Sequence, residues 1–164
     1  MAFCNDCPVL TPLVQYRAVM NVMYGADLAA MLADDPLASP LASAMTKIAA
    51  PELETCMIDV DGMVHGRETG VEGWLAGWRA WLRAFDHFTL EESDEPIVHG
   101  DVLVGFSVQR GTVPDSDFEV TAAGTGVWFF EDGHLRRLEL HLDRDRALRV
   151  AGLDPELHRP STHP

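Results

Sequence analysis

The period of the apolar residues changes at Asp86, and that change constrains the fold more than any other feature of the chain. Before it, Trp74, Trp78, Trp81 and Phe85 fall at i, i+4, i+7 and i+11, with Leu75 and Leu82 beside them. Arg79 and Arg83 lie on the other side, so the segment reads as an amphipathic helix with a tryptophan-rich face. After Asp86 the period is two. Phe88 and Leu90 begin one strand, and Val102, Val104, Phe106 and Val108 share one face of the next. A long strand runs from Phe118 to Phe130, and in the last strand Leu138, Leu140 and Leu142 alternate with Glu139, His141 and Asp143. His99-Gly100-Asp101 and Glu131-Asp132-Gly133-His134 are tight-turn signals. Strands joined by such turns pair antiparallel, whereas parallel neighbours need a long crossover. The expected fold is α+β, a curved antiparallel sheet with helices packed on one face. Gly124 and Gly126 predict a bulge or a strong bend in the long strand.

The first half carries helix signals. Thr11-Pro12 suits a helix start, and Leu13, Tyr16, Met20, Met23 and Tyr24 follow at helical spacing. Gly25 punctuates the stripe, so either one helix spans residues 12–33 or two shorter ones meet there. Ser39-Pro40 repeats the cap signal before a short helix, Leu41 to Ala49, which Pro51 ends. Residues 52–60 read as a strand, Asp61-Gly62 as a turn, and His65-Gly66-Arg67 as the lead into the tryptophan helix. A short helix over about 144–151 closes the domain. The division is an arm at 1–11, a domain at 12–153 and a mobile tail at 154–164.

Composition narrows the function classes. The 164 residues suffice for one domain with a sizeable core. Asp plus Glu number 26 against 12 Lys plus Arg, a net charge of −14, and such a chain repels phosphate backbones. Nucleic acid and membrane partners are therefore not expected. No apolar run approaches the ~18 residues of a membrane span, and the first residues lack the pattern of a signal peptide. A cytoplasmic setting is the expectation. The cysteines are Cys4, Cys7 and Cys56, too few and odd in number for a disulfide framework. Cys4-Asn5-Asp6-Cys7 lacks the strand before it that a redox motif needs and the two further ligands that a zinc site needs. No metal and no cofactor are expected.

Four stretches carry a family resemblance. They are His65-Gly66-Arg67-Glu68-Thr69-Gly70-Val71, Val98-His99-Gly100-Asp101-Val102, Val127 to Leu135, and Leu140 to Leu148 with Gly152-Leu153. Their order and spacing resemble the SnoaL-like branch of the NTF2-like superfamily over roughly residues 12–153. The resemblance implies a cone-shaped barrel, with helices on the concave face of the sheet and a pocket between them. It also implies a homodimer through the outer sheet face and a small apolar molecule as ligand. Members include polyketide cyclases, limonene-epoxide-hydrolase-like enzymes and ketosteroid-isomerase-like enzymes, so fold alone does not fix the reaction. Residues 36–51 are longer than the usual link and are expected to form a lid or an extra pocket wall.

Chemistry in such a pocket needs an acid or base whose pKa burial moves toward neutrality, and a donor for a developing oxyanion. Asp59 and His65 are the candidate acid/base pair, although a turn at Asp61-Gly62 and a packed helix start explain the same residues. Tyr16 is the candidate donor, with Tyr24 two turns along. Met20, Trp74, Trp78 and Trp128 are candidate walls, or plain core. His141 is a candidate ligand contact, but alternation with Leu140 and Leu142 turns it outward, and Asp143 suits a helix cap. The leading reading is a cofactor-independent cyclase, isomerase or dehydratase acting on a polyketide- or terpenoid-like molecule. The alternatives are a non-catalytic carrier or sensor, and a dimerisation module whose pocket is filled by its own side chains.

Overall fold

The computed structural model describes residues 10–160, so Cys4 and Cys7 lie outside the described residues. Helix α1 (Pro12–Met23) starts where Thr11 accepts a hydrogen bond from the Val14 amide, with proline in the first turn. The stripe is two helices. Gly25 has φ +74°, and Asp27 caps α2 (Leu28–Met31). Asp27 Oδ1 also accepts from the Phe88 amide, which ties this break to the sheet. Ser39 caps α3 (Pro40–Ile48).

The first strand, β1 (Ala49–Ile58), begins directly after α3 and carries Pro51 inside it. Pro51 is tolerated because ladder pairing with β6 is irregular between Ala49 and Glu54. Strand β2 (Val64–Thr69) replaces the expected loop at His65 to Arg67. All six of its residues are exposed, so no apolar alternation marks it in the sequence. It leads into α4 (Gly70–Leu82), the tryptophan helix. Four strands follow: β3 (His87–His99), β4 (Val102–Thr112), β5 (Glu119–Glu131) and β6 (His134–His141). At the β5–β6 turn Asp132 and Gly133 both have positive φ, the conformation of the tight hairpin predicted there. Helix α5 (Arg144–Val150) ends the domain.

The sheet order is β2-β1-β6-β5-β4-β3. Every pair is antiparallel except β1 with β6, which run parallel. The sheet is curved but does not close, since β2 and β3 are its edges. Pairing of β4 with β5 is unbroken from Val102↔Phe129 to Thr112↔Glu119, so Gly124 and Gly126 form no bulge. Their role is on the inner face and is taken up below.

Register sorts the two faces. Leu103, Trp128 and Leu138 are partners across three strands and join Tyr16, Leu28, Leu41, Leu75 and Phe88 in the larger core. The next rung, Val104, Val127 and Glu139, points the other way. There Val104, Phe106 and Val127 pack against Ala147, Leu148 and Ala151 of α5. Helices α1 to α4 therefore cover the concave face and α5 the convex one. Arg144 fastens α5 down: its guanidinium lies 3.7 Å over the Phe106 ring and donates to Asp94 at 2.8 Å. It also donates to the His158 carbonyl at 3.0 Å, in the 3-10 turn Pro155–His158 of the segment expected as a tail. Residues 36–51 pack Leu41, Met45 and Ile48 into the larger core, as structural filling between α1 and α4. Among the described residues no helix is long and apolar enough to cross a membrane.

Candidate functional site

A cavity of about 390 Å³ opens between the concave face and the helices. Helix α1 contributes Tyr16, Met20 and Met23, and Tyr24 follows it. Helix α4 contributes Trp74, Trp78 and Trp81, and the sheet contributes Trp128, Leu138 and Leu140. Asp59, His65 and Leu142 stand at the mouth.

The floor is made by what is missing from it. Gly105, Gly124 and Gly126 occupy inner-face positions on β4 and β5, with Gly105 opposite Gly126. A Cβ on Gly105 would come within 2.5 Å of the Tyr16 hydroxyl oxygen, and one on Gly126 within 2.8 Å of Trp128 Nε1. On Gly124 it would come within 2.6 Å of Gln109 Nε2. These glycines hollow the sheet where side chains would otherwise fill it.

Tyr16 and Tyr24 share a hydrogen bond of 2.8 Å between their hydroxyl oxygens. Burial, and then the bond to Tyr24, push the Tyr16 phenol far above the ordinary range, and burial raises Tyr24 as well. Both stay protonated. Whichever phenol donates, the hydroxyl proton of the other is left for a third acceptor.

Asp59 lies just beyond β1, and His65 is the second residue of β2. The loop between them folds back on Asp59. Its Oδ1 accepts from the amides of Asp61 and Met63, each at 3.0 Å, and its Oδ2 lies 2.6 Å from His65 Nε2. The hydrogen bond to His65, joined by those two amides, holds the carboxyl below the usual aspartate range. The His65 and Asp59 side chains are 62% and 27% exposed. The pair thus sits at the rim, and Asp59 is shifted away from neutrality, opposite to the expectation for a buried acid. It is suited to orient the imidazole as a carboxylate. His65 is a strand residue rather than the start of the tryptophan helix.

No family model and no curated protein matches this sequence. Its backbone does match solved structures. A putative SnoaL-like polyketide cyclase from Jannaschia sp. CCS1 superposes with a TM-score of 0.56 at 14% identity, over 77% of this chain and 83% of that one. An NTF2-like protein of unknown function from Burkholderia pseudomallei gives 0.52 at 20% identity, over 81% and 96%. The chain has an NTF2-like fold. TerC, crystallised with polyporic acid, gives 0.55 at 19% identity, over 84% of this chain and 94% of its own. At these identities the likeness concerns the fold, and the site is read from its own residues.

Within this NTF2-like frame Tyr16, Tyr24, Met20, Trp74, Trp78 and Trp128 all line the cavity with Asp59 and His65. His141 borders it too, but its imidazole is committed elsewhere. The residue is 2% exposed, and its Nε2 lies 2.8 Å from Glu139 Oε2 on the convex side. Arg137 meets the other oxygen of Glu139 at 2.5 Å. The His141 hydrogen bond, then the charge of Arg137, lower the Glu139 carboxyl against the opposing effect of burial. Alternation in β6 is therefore right, but the outward face there is buried rather than solvated. Asp143 caps α5, accepting from the Arg146 amide at 3.0 Å.

Ser107 and Gln109 also line the cavity and were not among the expected residues. The signal for them is in β4, where Gly105, Ser107 and Gln109 alternate with the apolar Val104, Phe106 and Val108. Val104 and Phe106 of that set lie under α5, which turns the polar set inward. A second cavity of about 310 Å³ lies between α4 and β1–β2 and shares Met57, His65, Trp74, Trp78, Trp81 and Leu140 with the first. No residue of 36–51 lines either cavity, which corrects the lid expectation. Among the described residues no three His, Cys, Asp or Glu side chains stand close enough together to hold a metal ion.

Proposed function

We propose that this chain is a cytoplasmic, homodimeric protein that binds a small, largely apolar molecule and moves a proton on it without a cofactor. The observation that carries this reading is the 2.6 Å contact of Asp59 with His65 at the mouth of a largely apolar cavity. An ionised Asp59 accepts the Nε2–H of neutral His65 and so leaves the Nδ1 lone pair free. Nδ1 then takes a proton from a carbon next to a ligand carbonyl, or from a ligand hydroxyl. The free hydroxyl proton of the Tyr16–Tyr24 pair stabilises the oxygen on which negative charge develops. Returning the proton to a different ligand atom completes an isomerisation or a cyclisation, with no net gain or loss of protons.

A polyketide- or terpenoid-like ligand suits these walls. No lysine or arginine is among the residues lining either cavity, so an anionic group would find no permanently charged partner there. The solved relatives named for polyketide cyclisation and for polyporic acid binding support the same class by likeness of fold. A second copy would dock on the convex face outside α5, which already covers Val104, Phe106 and Val127. The rim position of the dyad, with His65 mostly in solvent, favours one alternative, a carrier that never turns its ligand over.

Enolisable ketones and epoxides are first screened for binding by the rise in melting temperature that a native-state ligand must cause. Bound compounds are then assayed for turnover. Loss of turnover with binding kept in Asp59→Ala and His65→Ala is the expected result. Unchanged turnover in both variants removes the dyad from the chemistry, and binding without any turnover leaves the carrier.

A further inference from the structure

The parallel pairing of β1 with β6 brings two chain exits to one end of the sheet. Ile58 and His141 are partners there, and the Leu142 amide donates to the Ile58 carbonyl at 3.2 Å. Beyond Ile58 runs the loop that carries Asp59, and beyond Leu142 runs helix α5 on the convex side. Asp143 caps that helix by accepting from the Arg146 amide, and Ala147 and Leu148 hold it in the convex core. The backbone of Arg146 is therefore fixed next to the Asp59 loop.

The Arg146 guanidinium lies against Gly62 of that loop. A Cβ built on Gly62 would overlap Nη1 and come within 2.5 Å of Cζ and 3.1 Å of Nη2. The residue also has φ +80°, so both its backbone and its neighbour call for glycine. The Arg146 side chain is half-buried and makes no ion pair among the described residues, although Asp143 and Asp145 are near it in sequence. Gly62 is in turn tied to Asp59. Its amide donates to the Asp59 carbonyl at 3.0 Å, and the Asp59 amide donates to the Met63 carbonyl at 3.1 Å. The Met63 amide donates to Asp59 Oδ1 at 3.0 Å. A shift of Gly62 thus moves the carboxylate that faces His65.

We infer that Arg146 is a positioning residue for the Asp59–His65 pair: packed on Gly62, its guanidinium clamps the loop that holds Asp59 at 2.6 Å from His65. The inference rests on the reading of that pair as the proton-moving groups of the cavity, and adds the residue that keeps them aligned. Arg146 lines neither cavity, so it acts through the loop and not on a ligand. The rim explains the need for it. With 62% of its side chain exposed, His65 has few walls around it, so alignment has to come from a loop braced from behind.

The test follows the carboxyl carbon resonance of Asp59 against pH in the full-length protein. The His65 hydrogen bond and the loop amides hold that carboxyl below the ordinary aspartate range in the parent. Arg146→Ala releases the loop and is expected to raise the titration toward the ordinary value of about 3.9. Losing a nearby positive charge also raises a carboxyl, so Arg146→Lys is the control. It keeps the charge and loses the planar guanidinium, and it is expected to behave like Arg146→Ala. An unmoved titration in Arg146→Ala overturns the clamp, and so does full recovery by Arg146→Lys, which would assign the effect to charge alone. Either result leaves the reading of the pair intact. For any compound that is turned over, both variants should lower kcat about 10- to 100-fold, as a misplaced group does, with KM within about twofold. A raised titration with unchanged kcat removes the pair from the chemistry and overturns the positioning role with it.

Discussion

The hydroxyl of Tyr16 occupies the space that a side chain at Gly105 would need, with only 2.5 Å between its oxygen and the position of a Cβ there. Tyr16 is 1% exposed, lies edge-on to Trp128 at 5.2 Å and cannot withdraw without opening the core. Gly105 has no positive φ, so an alanine there meets packing and not backbone strain. Gly105→Ala is therefore expected to cost about 1–3 kcal/mol, the usual range for an overpacked core. Urea denaturation should show a lower midpoint at an unchanged slope. A midpoint equal to that of the parent would mean that the phenol moves aside freely.

Only two tyrosines occur in the chain, so removing one leaves a single phenol to titrate. Burial holds both above the ordinary phenol value of about 10. The bond they share favours the ionised form of Tyr24 and disfavours that of Tyr16. Tyr16→Phe should therefore raise the Tyr24 titration further, while Tyr24→Phe should bring Tyr16 down without returning it to the ordinary value. Ultraviolet difference titration of the folded variants reads both shifts. Movement of each phenol in the opposite direction would mean that the shared bond favours ionisation of Tyr16 and not of Tyr24.

Much of this fold is written locally. The tryptophan stripe, the caps at Thr11 and Ser39, and the turn at Asp132-Gly133 each depend on neighbours within a few residues, and all are present as expected. Strand β2 was not legible, because an exposed edge strand has no apolar face to alternate. The parallel pairing of β1 with β6 was not legible either, since it joins residues about eighty positions apart. The cavity residues separate in the same way. Tyr16, Trp74 and Trp78 announce themselves by helical period. The hollow made by Gly105, Gly124 and Gly126 appears only once register places them on one inner surface, which is why Gly124 and Gly126 read as a bulge.

The Asp59 carboxylate fixes which nitrogen of His65 carries the proton, since its Oδ2 lies 2.6 Å from Nε2. Nitrogen shifts of the His65 ring should then show the Nε2–H tautomer dominating the neutral form. Asp59→Asn removes the charge and should redistribute the two tautomers. It should also reduce any turnover by about 10²- to 10⁴-fold, the usual contribution of a positioned acid or base. His65→Ala and the double variant should fall to the same level, because residues acting as one unit do not lose activity additively. Additive losses would assign the two residues separate roles.

On the convex side Glu139 links His141 and Arg137, and its consequence is for stability against acid. Its carboxyl is lowered in the folded protein, first by the His141 hydrogen bond. A lowered carboxyl stabilises the fold above its unfolded value, about 4.3 for glutamate, and that contribution is lost as pH falls through the folded value. Arg137 is 43% exposed and screened, so the buried His141 contact carries most of the effect. Glu139→Gln keeps the shape and removes the charge. Near neutral pH it should cost about 1.5–3 kcal/mol, the range for a hydrogen bond to a charged group. As pH falls through its lowered folded value the parent protonates Glu139, and the two stabilities should converge. Chemical denaturation at a series of pH values measures the gap. A gap that stays constant down to the acid limit would mean that the Glu139 carboxyl titrates alike in the folded and unfolded chains, and that its contact with His141 contributes nothing to folding.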